Sequence, residues 1–117
     1  MKTIIITGSN GFIGSNLVEA LSQKYKLILL LRNKNNLKRI NYTFKKNISL
    51  KFFRNNSELN IILKKIKALW LIHCATHYVK QHNSADIIKI INSNIEFGTI
   101  LLDNLNTIGV KNFINFS

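Results

Sequence analysis

Three glycines near the start of the chain constrain its fold more than any other feature. Gly8, Gly11 and Gly14 directly follow an apolar, largely β-branched run at residues 3–7. Such a run, without polar alternation, is typical of a strand buried on both faces of a parallel sheet. The amphipathic segment after it predicts a helix that begins within the glycines. In that setting Gly8 permits a tight turn, Gly11 lets backbone N–H groups approach a pyrophosphate, and Gly14 lets the helix lie close to the strand.

The glycine loop predicts a dinucleotide-binding site at the start of the first helix. Free N–H donors and the helix dipole favour phosphate at such a helix start. The loop residues expected to contact the cofactor are Gly8, Ser9, Asn10, Gly11, Phe12, Ile13 and Gly14. The alternative interpretation is a glycine-rich turn without a ligand.

The spacing Thr7-Gly8-x-x-Gly11-x-x-Gly14 resembles the extended short-chain dehydrogenase/reductases, in particular the NAD-dependent epimerase/dehydratase family of nucleotide-sugar enzymes. Residues 72–75, Ile-His-Cys-Ala, are similar to the family's Ile-His-x-Ala-Ala segment beneath the cofactor, with Thr76 in place of the second alanine. The resemblance implies that Cys74, Ala75 and Thr76 lie beneath the cofactor.

Asn94 keeps the family's spacing to two leucines, Leu101 and Leu102. The resemblance therefore implies a cofactor contact for Asn94, with a solvated amide or a surface cap as the alternative. The family's Gly-Thr pair is out of step, because Phe97 stands at the glycine position and Gly98 at the threonine position.

The loop after the second predicted strand, residues 26–31, bears on cofactor choice. NAD-specific sites place an acid there to bind the ribose 2′-OH, whereas a 2′-phosphate calls for arginine. Here the chain has Arg32, Asn33 and Lys34 and no acid. This favours NADP(H), with NAD(H) also possible; the alternative is that Arg32 is a solvated loop base.

The remaining periodicity predicts an α/β fold of the Rossmann type, a doubly wound parallel sheet truncated after the fifth strand, in the order 3-2-1-4-5. The family's adenine-contacting aspartate after the third strand is replaced by Arg54-Asn55-Asn56. Either an asparagine amide contacts the adenine instead, or the contact is absent. Helices are predicted at 11–23, 34–39, from 57 to about 67, and at 84–108, with a bend expected near 92–94; strands are predicted at 48–53, 69–75 and 110–116.

The family's Tyr-x-x-x-Lys catalytic pair is expected after the fifth strand, beyond Ser117. Residues 1–117 are accordingly expected to form an incomplete NAD(P)-binding domain without catalytic residues and without turnover alone. Tyr42 and Lys46 match the motif literally, but they precede the third strand, so we interpret that match as coincidence.

An ending of Ala75-Thr76-x-Tyr78 is similar to the CDP-abequose and CDP-paratose synthases, reductases of 4-keto-6-deoxy sugars. The resemblance implies the cofactor-binding part of a nucleotide-sugar reductase whose full-length form takes a nucleotide sugar and can be a homo-oligomer. A 4-epimerase or dehydratase and a non-enzymatic nucleotide-binding module remain open.

The formal charge of +12 is regional, because thirteen of seventeen basic residues lie between Lys24 and Lys67 with a single acid. Aromatic residues do not interleave with these bases, so a solvated lysine-rich face is favoured over nucleic-acid binding. One cysteine, Cys74, fits a reducing compartment, and neither a leader nor an apolar run of membrane-spanning length is present, so a cytoplasmic location is expected.

A zinc site is a further alternative for the cysteine and histidines near the fourth strand. His73 and Cys74 are consecutive strand residues and should point to opposite faces. We therefore expect core packing for Cys74 and no metal, with His77 and His82 as the other candidate ligands.

Overall fold

The computed structural model describes residues 1–32, 45–75 and 84–116. Its sheet contains the strands β1 (Thr3–Thr7), β2 (Lys26–Leu31), β3 (Ile48–Phe52), β4 (Trp70–His73) and β5 (Asn112–Asn115). All four neighbouring pairs are parallel and the order is β3-β2-β1-β4-β5. The predicted fold class and strand order are confirmed. Strands β3, β4 and β5 are shorter than predicted.

Helices connect and cover these strands. They are α1 (Phe12–Leu21), α2 (Asn56–Lys65), α3 (Ser84–Ile91), α4 (Phe97–Asp103) and α5 (Leu105–Ile108), with a 3-10 turn at Lys45–Asn47 before β3. A π-helical segment at Asn92–Glu96, here called the π-turn, joins α3 to α4. The helix predicted at 34–39 lies outside the described residues. No helix in the described ranges has the length and apolar character needed to cross a membrane.

The sheet separates two cores. Ile4 and Ile6 of β1 pack on the side that holds Val18 of α1. Ile5, between them, packs on the other side, where α2, α4 and α5 contribute Leu59, Leu63, Phe97, Leu101 and Ile108. β1 is therefore buried on both faces, as its unbroken apolar sequence predicted.

Leu17, Val18 and Leu21 of α1 pack against the core, as their helical spacing predicts, but Ile13, which fits the same spacing, does not. Gly14, Ser15 and Val18 are its buried residues, whereas Ile13 is 48% exposed. Gly14 lies close to the loop before it, so the side of α1 that carries Gly14 faces the protein interior. Successive helical residues differ by about 100°, so Ile13 turns toward solvent.

The predicted single helix at 84–108 is interrupted at the place where a bend was expected. In the π-turn, Phe97 N donates to Asn92 O, five residues back, instead of four. The extra residue shifts the helical register, and Phe97 and Leu101 after it are buried, whereas Ile91 before it and Ile95 within it are exposed. A second break at Asn104 separates α4 from α5, and Gly109 ends the segment with a left-handed φ of 88°.

Candidate functional site

The glycine loop forms a tight turn between β1 and α1 at the carboxyl edge of the sheet. Gly8 has a φ of 67°, a conformation that side chains disfavour, and Gly11 N donates to Gly8 O at 3.0 Å. Gly11 is the N-cap of α1 and provides no side-chain cap. The first amides of a helix lack intrahelical acceptors, so those at residues 12–14 are free to bind a ligand.

The glycines are required by close backbone contacts. A Cβ on Gly8 would lie 2.6 Å from both Ala75 N and Cys74 C, and one on Gly14 would lie 2.0 Å from Gly8 O. Gly14 therefore lets the helix approach the loop itself, rather than the strand, which corrects the predicted role. A Cβ on Gly11 would lie 3.3 Å from Gly8 O, which is tight but adjustable.

The other loop residues differ in exposure. Ser9 is fully buried, and its Oγ has no hydrogen-bond partner among the described residues. Asn10, Phe12 and Ile13 are exposed at the mouth of the loop. An unpaired buried hydroxyl is rare in folded proteins and is often found at functional sites.

Beneath the glycine loop, Thr7 joins the ends of β1 and β4. Its Oγ1 lies 2.6 Å from His73 Nδ1 and accepts from Cys74 N at 3.1 Å and Ala75 N at 3.2 Å. Burial lowers the pKa of His73 and raises the pKa of the Cys74 thiol. Cys74 packs against the α1-side core, as expected, while the backbone of Cys74 and Ala75 forms a floor against Gly8.

Arg32 lies at the end of β2 in the position where the acid of NAD-specific sites stands. Its guanidinium carbon is 5.5 Å from the Phe53 ring centroid and 5.2 Å from the Phe97 ring centroid. Its Nη2 donates to Asn92 O in the π-turn at 3.2 Å. Arg32 is therefore held by two rings and a carbonyl, although the residue as a whole is exposed.

The amides after β3 are occupied by structural contacts. Asn55 caps α2 by accepting from Glu58 N at 2.9 Å, and Asn56 Nδ2 donates to Glu96. Arg54 forms a salt bridge with Glu58 at 2.6 Å. This hydrogen bond and charge lower the pKa of Glu58.

The structure thus brings together the glycine loop, Arg32, Cys74 and Ala75 along the carboxyl edge of the sheet. Asn94 lies in the π-turn and is exposed. The predicted cofactor contacts at Asn33, Lys34 and Thr76 lie outside the described residues, as do Tyr42, His77 and His82. The sequence did not predict that two aromatic rings contact Arg32 or that Thr7 pairs with His73. The available signal for the Thr7–His73 pair was a histidine at the end of an apolar strand.

A parallel sheet in this order, with a glycine loop leading from its central strand into a helix, defines a Rossmann-type fold. The model of the NAD dependent epimerase/dehydratase family matches residues 4–117, and the chain belongs to that family. No curated protein sequence matched the chain.

Solved structures share this fold. An epimerase from Methanothermobacter thermautotrophicus superposes with a TM-score of 0.80 at 22% identity, over 97% of this chain and 34% of its own. A UDP-N-acetylglucosamine 4-epimerase from Methanobrevibacter ruminantium gives 0.77 at 20% identity, over 96% and 36%. The Bordetella bronchiseptica enzyme WbmG, solved with NAD, gives 0.77 at 20%, over 99% and 37%. The chain spans about a third of the length of these proteins.

Proposed function

We propose that this chain binds a nicotinamide dinucleotide, with the pyrophosphate on the free amides at the start of α1. The single observation that carries the proposal is the loop geometry, in which a Cβ on Gly8 or Gly14 would lie 2.6 or 2.0 Å from backbone atoms and the N-cap, Gly11, carries no side chain. This loop sits at the carboxyl end of β1, where ligands bind in open parallel sheets.

The residues at this edge suit the cofactor. The amides of Phe12, Ile13 and Gly14 would hold the pyrophosphate, and the backbone of Cys74 and Ala75, with Thr76 after it, would provide the floor. When bound, the dinucleotide supplies hydride exchange at its nicotinamide ring. The protein's part is to bind and orient the cofactor, and Asn94 is the proposed contact from the π-turn.

Gly11→Ala tests this proposal. Gly11 has a φ of −85° and a ψ of 178°, which any residue adopts, so the variant should fold. Its Cβ would stand between the loop amides and the pyrophosphate, and we expect dinucleotide affinity to fall by about tenfold or more, a loss of about 1.4 kcal/mol. Calorimetric titration with NADH and NADPH measures the change.

Gly98→Ala is the matched control, because its Cβ would meet His73 Nε2 at an ordinary 3.5 Å, away from the loop. The control should bind like the wild type. Undiminished affinity in a folded Gly11→Ala protein would refute the pyrophosphate site.

We propose that the site prefers NADP(H) to NAD(H). Arg32 supports this preference as the residue that would bind the 2′-phosphate of the ribose. The guanidinium is positioned by Phe53 and Phe97, and within the described residues one of its five donors is assigned, to Asn92 O. A planar fork suits phosphate oxygens. A charge-assisted hydrogen bond contributes about 1.5–3 kcal/mol, and exposure to salt and water favours the lower end.

The test compares NADPH with NADH in wild type, Arg32→Ala and Arg32→Lys. We expect roughly a tenfold preference for NADPH in the wild type, lost in Arg32→Ala and reduced in Arg32→Lys, which keeps the charge without the fork. Equal affinity of the wild type for both cofactors would refute the preference, and a preference unchanged in Arg32→Ala would show that Arg32 does not confer it.

For the complete enzyme we propose a nucleotide-sugar oxidoreductase of the 4-keto-6-deoxy sugar reductase type, acting in the cytoplasm. The Ala75-Thr76-x-Tyr78 ending and the proposed NADP(H) use support a reductase. The second candidate is a nucleotide-sugar 4-epimerase or dehydratase, supported by the epimerases among the structural relatives. In a protein with the family's remaining length, net NADPH oxidation with an NDP-4-keto-6-deoxy sugar would identify the reductase, whereas sugar interconversion without net oxidation would identify the epimerase.

A further inference from the structure

A lysine stands at the amino end of every strand of the sheet. Each lies at the first residue of its strand or within three residues before it, and in the spatial order of the strands they are Lys46, Lys26, Lys2, Lys67 and Lys111. All five are exposed. Because the strands are parallel, their amino ends share one edge of the sheet, here called the lysine edge.

Backbone bonds hold this edge in line. Lys26 N donates to Lys2 O at 2.9 Å, and Leu69 N donates to Thr3 O at 3.1 Å. Lys111 N donates to Leu69 O at 2.8 Å, which continues the line to β5. The positions of the lysines therefore follow from the register of the strands.

The lysine edge carries a large excess of positive charge. Lys24, before β2, and Lys64 and Lys65, in the last turn of α2, add to it. Of the five acids, Glu58 bonds to Arg54 and Glu96 to Asn56, both at the opposite edge. The acids closest to the lysine edge along the chain are Glu19 and Asp103, near the ends of α1 and α4.

We propose that the lysine edge binds the phosphodiester backbone of double-stranded nucleic acid, without reading its sequence. Neighbouring strands lie about 4.8 Å apart, so five strands span about 19 Å. Phosphates on one strand of a duplex advance about 3.4 Å along the axis, which places five or six of them against this row.

In the part of the chain that the structure describes, the lysine edge has no exposed aromatic ring for base stacking, which favours a duplex over a single strand. Among the described residues, the aromatic residues within three positions of these lysines are Tyr25, Trp70 and Phe113, and each is half-buried against one of the two cores. A single strand would leave its bases unstacked here, since base stacking on aromatic rings carries much of single-strand affinity. A duplex stacks its own bases and presents only phosphates.

The surface is separate from the proposed dinucleotide site. The glycine loop follows the carboxyl end of β1, whereas Lys2 precedes its amino end, with the length of the strand between them. Duplex and dinucleotide should therefore bind without competition, and failure of one proposal leaves the other intact.

The test measures binding of a fluorescent 20-base-pair duplex to the whole chain between about 20 and 200 mM salt. Five phosphate contacts predict a slope of about −4.5 in a plot of log affinity against log salt concentration, and each lysine removed should reduce its magnitude by about 0.9. Lys26→Gln/Lys111→Gln should therefore bind with a slope near −2.7. Saturating NADPH should leave duplex affinity unchanged.

The matched control is Lys51→Gln/Lys89→Gln, which removes the same charge from exposed lysines of β3 and α3 away from this edge. It should keep the wild-type slope. No duplex binding at the lowest salt, or equal loss in both double variants, would overturn the proposal. Tighter binding of a single-stranded 20-mer or of phosphatidylserine vesicles would also overturn it, as would displacement of the duplex by NADPH.

Discussion

Thr7 donates its hydroxyl proton to His73 across a buried 2.6 Å hydrogen bond that joins β1 to β4. The direction follows from counting, because a hydroxyl has one proton and two lone pairs. The amides of Cys74 and Ala75 donate to the oxygen and take both lone pairs. The proton therefore goes to His73 Nδ1, and His73 is the neutral tautomer with its proton on Nε2.

Thr7→Val should destabilise the protein, because it leaves buried polar groups without partners. Valine has the same shape but offers no acceptor to the two amides and no donor to His73. We expect a loss of about 1–3 kcal/mol in the free energy of unfolding. Thr7→Ser, which keeps the hydroxyl, should lose clearly less; equal losses in the two variants, measured by urea denaturation, would contradict the hydrogen-bond assignment.

Stability should fall in acid because of His73. Burial lowers its pKa in the folded protein, while the unfolded chain keeps a value near 6.5. A depressed folded pKa makes the unfolded state bind more protons once the pH falls below the unfolded value. The contribution of His73 is therefore complete above about pH 7 and is lost progressively as the pH falls below about 6.5 toward the folded pKa.

Comparison with His73→Asn isolates this effect. His77 and His82 lie outside the described residues. Because both proteins contain them, any effect of their titration on stability cancels in the comparison. Urea midpoints at pH 7.5 and 5.5 should differ more in the wild type than in His73→Asn. A pH dependence that persists in full in the variant would assign it to other groups.

The sequence predicted the sheet well because its signals are local and repeated. The unbroken apolar runs at β1 and β2 predicted buried parallel strands, and the Gly8 turn between β1 and α1 followed from glycine spacing alone. The long helix at 84–108 was harder, since apolar periodicity shows a face but not the register after a π-turn. Ile87 and Ile91, before the π-turn, are exposed although they fit the helical pattern, whereas Leu101, after it, is buried.

The site was predictable where a short motif determines it and less so where distant residues meet. The loop at 8–14 is one continuous segment. The contact of Arg32 with Phe53 and Phe97 joins β2, the end of β3 and α4, so no local pattern reveals it. In the sequence, Gly98 is notable only because it stands at the family's threonine position. In the structure, Gly98 lies next to the ring of His73, since a Cβ added to it would be 3.5 Å from His73 Nε2.

The last prediction contrasts two glycines within helices. Glycine is unfavourable inside a helix by about 1 kcal/mol relative to alanine, so alanine should stabilise both positions if propensity alone decided. At Gly98 the new Cβ would make an ordinary 3.5 Å contact with His73 Nε2, and we expect Gly98→Ala to be neutral or stabilising by up to about 1 kcal/mol. At Gly14 the Cβ would lie 2.0 Å from Gly8 O and 2.8 Å from Ser9 Cα, both backbone atoms. The loop must move, so overpacking outweighs propensity and Gly14→Ala should lose about 1–3 kcal/mol. Urea denaturation of the two variants under identical conditions measures the difference, and a Gly14→Ala protein as stable as Gly98→Ala would show that α1 does not rest on the glycine loop.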